Sequence, residues 1–335
     1  MSLLPGSLWA KSVTRSPRFL RWSVVAMIAT ISALRIWALQ APEIAPNTYV
    51  AADIHPGRPA PGAGPFLSFV VALYPFDGPP VTIPLPEGLP KTFNLIAFSS
   101  DGRAIYGQKG SPLGPLDGII KIEFKPTRFI TVPGSLGLGG VSYLTAPPQS
   151  TKLFVSGATR SGDRLWHCGA FEVDPSSGSL RALRVGDYPQ CGVGDGLAGP
   201  VSMDGRRMLN HQGNELDVID LGTGLPQSLG VGLSEGRWSP DGRWIAAWGS
   251  GRIVVIDANN LSHRKDLGRC CDGGAHWSPD SKYLLLSRRE LRCTLSLYFT
   301  SLEALDVATG KRTVIKSSRC DTGGWVGWID RRVAE

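Results

Sequence analysis

The one run of residues that matches a catalytic pattern is Gly232-Leu-Ser234-Glu-Gly236, which has the glycine spacing of a hydrolase nucleophile elbow. That chemistry needs a strand before the serine and a helix after it, so that the hydroxyl stands proud of a sharp turn. Here Arg237-Trp238-Ser-Pro-Asp follows at once and reads as a turn between strands, so the spacing is a coincidence of a glycine-rich chain. Gly310-Lys311 lacks the upstream glycine of a phosphate loop, so no nucleotide cofactor is indicated. The five histidines (55, 167, 211, 263, 276) are scattered, there is no Cys-x-x-Cys, and no Asp-x-Asp-x-Asp-Gly loop offers a calcium site, so no metal or other cofactor is expected. The six cysteines remain. Cys168 and Cys293 each read as preceding the third strand of a repeat. Cys191, Cys271 and Cys320 each fall shortly before the next repeat's turn. In an antiparallel hairpin those places are neighbours, so Cys168–Cys191 and Cys293–Cys320 are expected as bridges. Cys270 and Cys271 are then left as an adjacent couple, either joined to each other or reduced.

What positions all of these residues is a repeat. Phe98-Ser-Ser-Asp101-Gly-Arg, Val201-Ser-Met-Asp204-Gly-Arg, Trp238-Ser-Pro-Asp241-Gly-Arg and Trp277-Ser-Pro-Asp280-Ser-Lys share one phrase, and Trp328-Ile-Asp330-Arg-Arg is a worn copy. The aspartates lie 37 and 39 residues apart in the clearest copies; a gap of 103 residues has room for one more unit, at Leu144-Thr-Ala-Pro-Pro-Gln-Ser-Thr-Lys152. Asp bonds backbone two residues on and Gly accepts positive φ, so the phrase closes a tight turn. Short apolar runs follow it (Ala104–Tyr106, Trp244–Trp248, Tyr283–Leu286), and a second turn of the Asp-x-x-x-Gly kind closes most units, as in Asp220-Leu-Gly-Thr-Gly224 and Asp306-Val-Ala-Thr-Gly310. Four short antiparallel strands per unit of roughly 40 residues are the pattern of a β-propeller blade. The expectation is an all-β, six-bladed propeller over residues 66–335, closed by pairing of 66–86 with 324–335. The repeated Trp238, Trp277, Trp325 and Trp328, with Trp244 and Trp248, are read as packing between blades rather than as a platform for stacking sugars.

The Trp-Ser-Pro-Asp-Gly-Arg phrase, followed by an apolar strand and an Asp-x-x-x-Gly hairpin, resembles the TolB-like propeller repeat, a relative of the WD-repeat propellers. The resemblance spans about residues 66–335 and is closest in blades three to five. It implies a non-enzymatic scaffold that binds a protein or cell-envelope partner. Two other readings stay open, a carbohydrate-binding propeller and a hydrolase or lyase with its site at the channel.

Ahead of the repeats, residues 1–22 carry Lys11, Arg15, Arg18 and Arg21 and no acid. Residues 23–39 are apolar apart from Arg35. Positive charge before an apolar segment places the N-terminus in the cytoplasm and the rest outside. The segment is expected to be either an uncleaved signal-anchor (transmembrane) helix in the inner (plasma) membrane or a cleaved signal peptide that releases the chain to the periplasm. Residues 40–65, with six prolines between 41 and 65, read as a spacer. The charge of +7 is mostly this topology signal. Five of 35 basic residues and none of 28 acids precede residue 42, leaving 30 bases against 28 acids. Nucleic-acid binding therefore has no electrostatic basis. One basic run, Arg288-Arg-Glu-Leu-Arg292, reads as a solvated loop.

Overall fold

The computed structural model describes residues 49–56, 69–75, 79, 81–83, 86, 93–109, 118–161, 165–188, 199–212, 214–270, 274–290, 299–317 and 325–334. The segments 1–22 and 23–39, and the first part of 40–65, lie outside them. Among the described residues no helix is long and apolar enough to cross a membrane.

The strands assemble into six antiparallel sheets arranged as blades. Blade one runs from Phe93–Phe98 to Thr127–Thr131 and blade two from Leu138–Thr145 to Ser179–Tyr188. Blade four runs from Glu235–Trp238 to Asn260–Arg269 and blade five from Ala275–Trp277 to Arg312–Ser317. Blade three has three full strands, Arg207–Gln212, Glu215–Asp220 and Pro226–Val231. Its first strand is reduced to a single bridge, Val201 to Met208. Pro200 explains the reduction, because it has no N–H to offer a ladder; its carbonyl still accepts from Leu209 N at 3.0 Å.

Blade six joins the two ends of the described chain, and here the spacer reading needs correction. Tyr49–Pro56 is a strand. It pairs with Trp325–Asp330 on one side (Ala51 opposite Trp328) and with Phe69–Tyr74 on the other (Ala51 opposite Tyr74). Val81–Ile83 completes the sheet. So 66–86 supplies two outer strands of this blade and does not itself meet 324–335. Tyr49-Val-Ala-Ala-Asp-Ile-His-Pro has four apolar residues in its first half, of which Val50, Ala51 and Ala52 are buried. The prolines that follow from position 56 obscured it in the sequence.

The core lies between blades, not within any one of them. Val50, Val71 and Leu73 of blade six meet Ile105, Ile120 and Ile122 of blade one. Leu209 and Leu216 of blade three meet Trp238 and Ile245 of blade four. Each sheet is apolar on both faces because both are covered by neighbouring blades.

The repeat phrase forms the turn between the first and second strands. Its opening serine carbonyl accepts from the fourth residue of the turn: Gly102 N to Ser99 O at 2.9 Å, Gly205 N to Ser202 O at 3.0 Å, Gly242 N to Ser239 O at 2.9 Å and Ser281 N to Ser278 O at 2.9 Å. The three glycines sit at φ of +71°, +71° and +72°, the left-handed region their lack of a Cβ permits. The serine hydroxyl then donates to the aspartate, as Ser239 Oγ does to Asp241 Oδ1 at 2.5 Å, and accepts from the first residue of the next strand, Trp244 N at 2.9 Å. In blade two, Pro147-Pro-Gln-Ser takes this place with Gln149 at φ 59°.

Candidate functional site: the axial cavity

Three tryptophans of the repeat fix neighbouring blades. Trp238 Nε1 donates to Pro200 O at 2.9 Å, Trp277 Nε1 to Arg237 O at 3.1 Å and Trp328 Nε1 to His276 O at 3.0 Å. Each indole thus reaches back to the preceding blade and finds the carbonyl of the residue just ahead of that blade's turn phrase. Trp238, Trp248, Trp277 and Trp328 are all buried, so their rings are engaged mainly in packing between blades. Phe98 makes the corresponding junction from blade one to blade six. Its ring lies so close to Gly327 that a Cβ there would meet it at 2.2 Å.

The three residues that receive these bonds, Pro200, Arg237 and His276, and their equivalents ahead of the other turns, Ala97, Tyr143 and Gly327, define a ring with one member per blade. Alternation along a strand sends their side chains to the face opposite the buried aromatic. Five of the six line an axial cavity of about 460 Å³ to which all six blades contribute, with Met203, Pro240 and Pro279 of the turns at its rim. The sixth, Tyr143, presents its ring to the guanidinium of Arg237, which lies 5.3 Å from the ring centroid.

Arg237 and His276 are therefore adjacent ring members, enclosed by protein yet each keeping some surface toward the void. Burial lowers the Arg237 pKa, opposed by Tyr143 and Glu235, and the group stays charged in any accessible range. Burial, with the Arg237 charge as a lesser cause, pushes His276 down to about 3, so its imidazole is neutral at physiological pH. Burial also raises the Tyr143 hydroxyl, so it remains a neutral donor. The arrangement offers cationic and neutral N–H and O–H donors. Glu235, two residues from Arg237 and exposed, is the acid whose charge reaches Arg237.

Sequence reading did not find this pair. The turn phrase aligns the blades by the residues that form it, whereas this pair stands at the position just before each copy. Aligning position minus one of each Trp-Ser-Pro-Asp copy would have placed Arg237 beside His276. Of the residues it did single out, Ser234 lies before an opening strand, its N–H bonded to Trp248 O at 2.9 Å and its hydroxyl directed to the same carbonyl at 3.4 Å. No helix follows it, so no nucleophile elbow forms. Cys168 falls inside the third strand of its blade, opposite Gly186, and not ahead of it. Cys168 and Cys270 each take part in a disulfide. Cys191, Cys271, Cys293 and Cys320 lie outside the described residues, and with them the expected pairings. The side chains of Arg288, Arg289 and Arg292 lie outside them too. Among the described residues no cluster of His, Cys, Asp and Glu could hold a metal ion.

Fold and cavity together define a six-bladed β-propeller with an axial site built from the residues that precede each turn. No family model and no curated protein matches the sequence; the similarity is in three dimensions. TolB from Acinetobacter baumannii matches with a TM-score of 0.54 at 15% identity, over 84% of this chain and 66% of that one. This chain thus spans just under two thirds of that TolB. A structure assigned to TolB in Agrobacterium tumefaciens matches with a TM-score of 0.48 at 13% identity, over 83% and 91% of the two chains. The periplasmic gluconolactonase of Pseudomonas aeruginosa matches at 0.46 and 14%, over 84% and 99%. What these proteins share with this chain is the fold.

Proposed function

We propose that this chain is a non-enzymatic scaffold, tethered by residues 23–39 to the inner membrane with its N-terminus in the cytoplasm and its propeller outside, that holds a protein or cell-envelope partner at the axial cavity. The observation that carries the reading is the cavity itself, a concave site lined by apolar residues, prolines and a few donors, among them Arg237 and His276, to which every blade contributes. The topology rests on the basic 1–22 segment followed by the apolar one, and release to the periplasm by signal cleavage is its alternative. The bridges Cys168–Cys191 and Cys293–Cys320 belong to the same reading, since an oxidising compartment permits them.

The adjacency of Arg237 and His276 favours one second reading, catalysis in the channel, since this fold also occurs in a gluconolactonase. A base is most effective with a pKa near the working pH, and His276 at about 3 is far from it. Binding therefore fits a neutral His276 beside a charged Arg237 better than proton transfer does.

The test is co-purification from membranes with the N-terminal segment intact, comparing the wild type with Met203→Glu at the rim. The expected result is a protein retained by the wild type and lost by a variant of unchanged melting temperature. Recovery of only a sugar or small molecule displaces the scaffold reading. Alkaline extraction checks the tether, which predicts that the chain stays in the membrane pellet.

A further inference from the structure

A guanidinium held inside protein ordinarily has a carboxylate beside it, because removing a charge from water costs several kcal/mol unless it is paired (roughly, by general estimates for buried ions). Among the described residues, Arg237 forms no salt bridge, and no acceptor takes a hydrogen bond from its side chain. Its polar contact is the face of Tyr143, 5.3 Å from the guanidinium carbon. Arg237 is the arginine among the residues that line the axial cavity. Other arginines differ: Arg332 is bonded to Asp330 at 2.6 Å, and Arg207 donates to Ala258 O besides covering Trp238.

We propose that Arg237 is the receptor for an oxyanion, a carboxylate or phosphate group that enters the axial cavity and takes the bidentate fork, with the His276 imidazole as a neighbouring neutral donor. Five arguments converge. The fork matches the spacing of two oxygens on one carbon or phosphorus. The Tyr143 ring holds the guanidinium by a cation–π contact, 5.3 Å from centroid to guanidinium carbon, so less side-chain freedom is lost on binding. A neutral imidazole can turn an N–H to the same anion without adding a charge that would have to be removed from water. The cavity has room for a small molecule or for the end of a side chain or chain terminus. Finally, the acid that bears on Arg237, Glu235, is exposed, so it does not fill the place the anion would take. The assignment goes beyond the partner reading and stands without it, since a free anion and one carried by a partner would use the same fork.

The test uses the full chain and two probes, inorganic phosphate and acetate, each against sodium chloride at equal ionic strength. Tryptophan fluorescence follows binding, since Trp238, Trp277 and Trp328 line the cavity. Thermal melting follows it independently. The wild type should show saturable quenching and a rise in melting temperature of about 3 °C at roughly ten times Kd, absent with chloride. Arg237→Gln should weaken the fluorescence-detected affinity at least about 30-fold and abolish the rise. Arg237→Lys, which keeps the charge but not the fork, should fall between them and covers the case in which Arg237→Gln does not fold. A rise with one probe alone supports the site and assigns its chemistry to phosphate or to carboxylate. Equal responses to probe and chloride, or a response in Arg237→Gln equal to the wild type's, overturn the assignment.

Discussion

Trp238, Trp277 and Trp328 each combine a buried ring with one N–H aimed at the preceding blade, so two contributions to stability can be separated at a single residue. Trp277→Phe keeps most of the apolar area but removes the bond to Arg237 O; a lost hydrogen bond of this kind costs about 1 kcal/mol. Trp277→Ala also removes the ring and should cost about 3–5 kcal/mol. Urea denaturation distinguishes the two, and a Phe variant with the wild-type midpoint would mean the indole N–H contributes nothing to the junction. His276 gives the pH counterpart. Its folded-state pKa of about 3 lies below the ordinary 6.5, so the unfolded chain binds a proton that the folded chain refuses. The stability this histidine contributes is fully present above pH 6.5 and is lost as pH falls from there toward 3. The charged and titratable groups around it are Arg237, and through Arg237 also Tyr143 and Glu235; neither Arg237 nor Tyr143 changes charge in that window. His276→Gln should therefore flatten the decline in stability between pH 6.5 and about 4.5, where few carboxylates titrate. A variant whose pH profile runs parallel to the wild type's shows that the imidazole is not responsible.

At the scale of the element, the turn phrase has a division of labour that mutation can read. In blade four, Ser239 is fully buried and its hydroxyl both donates to Asp241 and accepts from Trp244 N, whereas Asp241 receives its second bond from the exposed Arg243 N at 3.1 Å. Ser239→Ala strands a buried N–H and should cost about 1–3 kcal/mol, while Asp241→Asn keeps an acceptor in place and should cost well under 1 kcal/mol. Chemical denaturation of the two variants checks the order, and equal losses would refute the asymmetry. This turn is also where the sequence was most readable. Ser, Pro, Asp and Gly each carry a local conformational preference that acts within four residues, so the blades announce themselves without any tertiary information. The first strand of blade six had no such marker. Tyr49–Pro56 is defined by what lies on either side of it, Trp325–Asp330 and Phe69–Tyr74, and both partners are distant in sequence or separated from it by a proline-rich stretch. The ring of Ala97, Tyr143, Pro200, Arg237, His276 and Gly327 was unreadable for a related reason. Its members share a position but no residue type recurs there, so no repeated letter marks the position in the sequence.

For the whole molecule the decisive question is closure, since a six-bladed ring has no free interior edge only if its last blade is complete. Tyr49–Pro56 is the second strand of that blade, bonded on both sides, and Asp330 N adds a bond to Gly102 O of blade one at 2.9 Å. Removing residues 1–46 leaves this strand in place. Removing residues 1–57 takes it away and exposes two unpaired edges at once, those of Trp325–Asp330 and Phe69–Tyr74, together with apolar residues such as Val71, Leu73 and Ile329 that pack in the same cluster as Val50 and Ala52. Exposed apolar edges template association with other chains. The shorter deletion should therefore purify as a soluble species with one cooperative thermal transition, and the longer one should aggregate or melt without cooperativity. Size-exclusion chromatography and calorimetry on the pair decide the matter. If the chain lacking 1–57 is as soluble and cooperative as the chain lacking 1–46, then Tyr49–Pro56 does not close the ring.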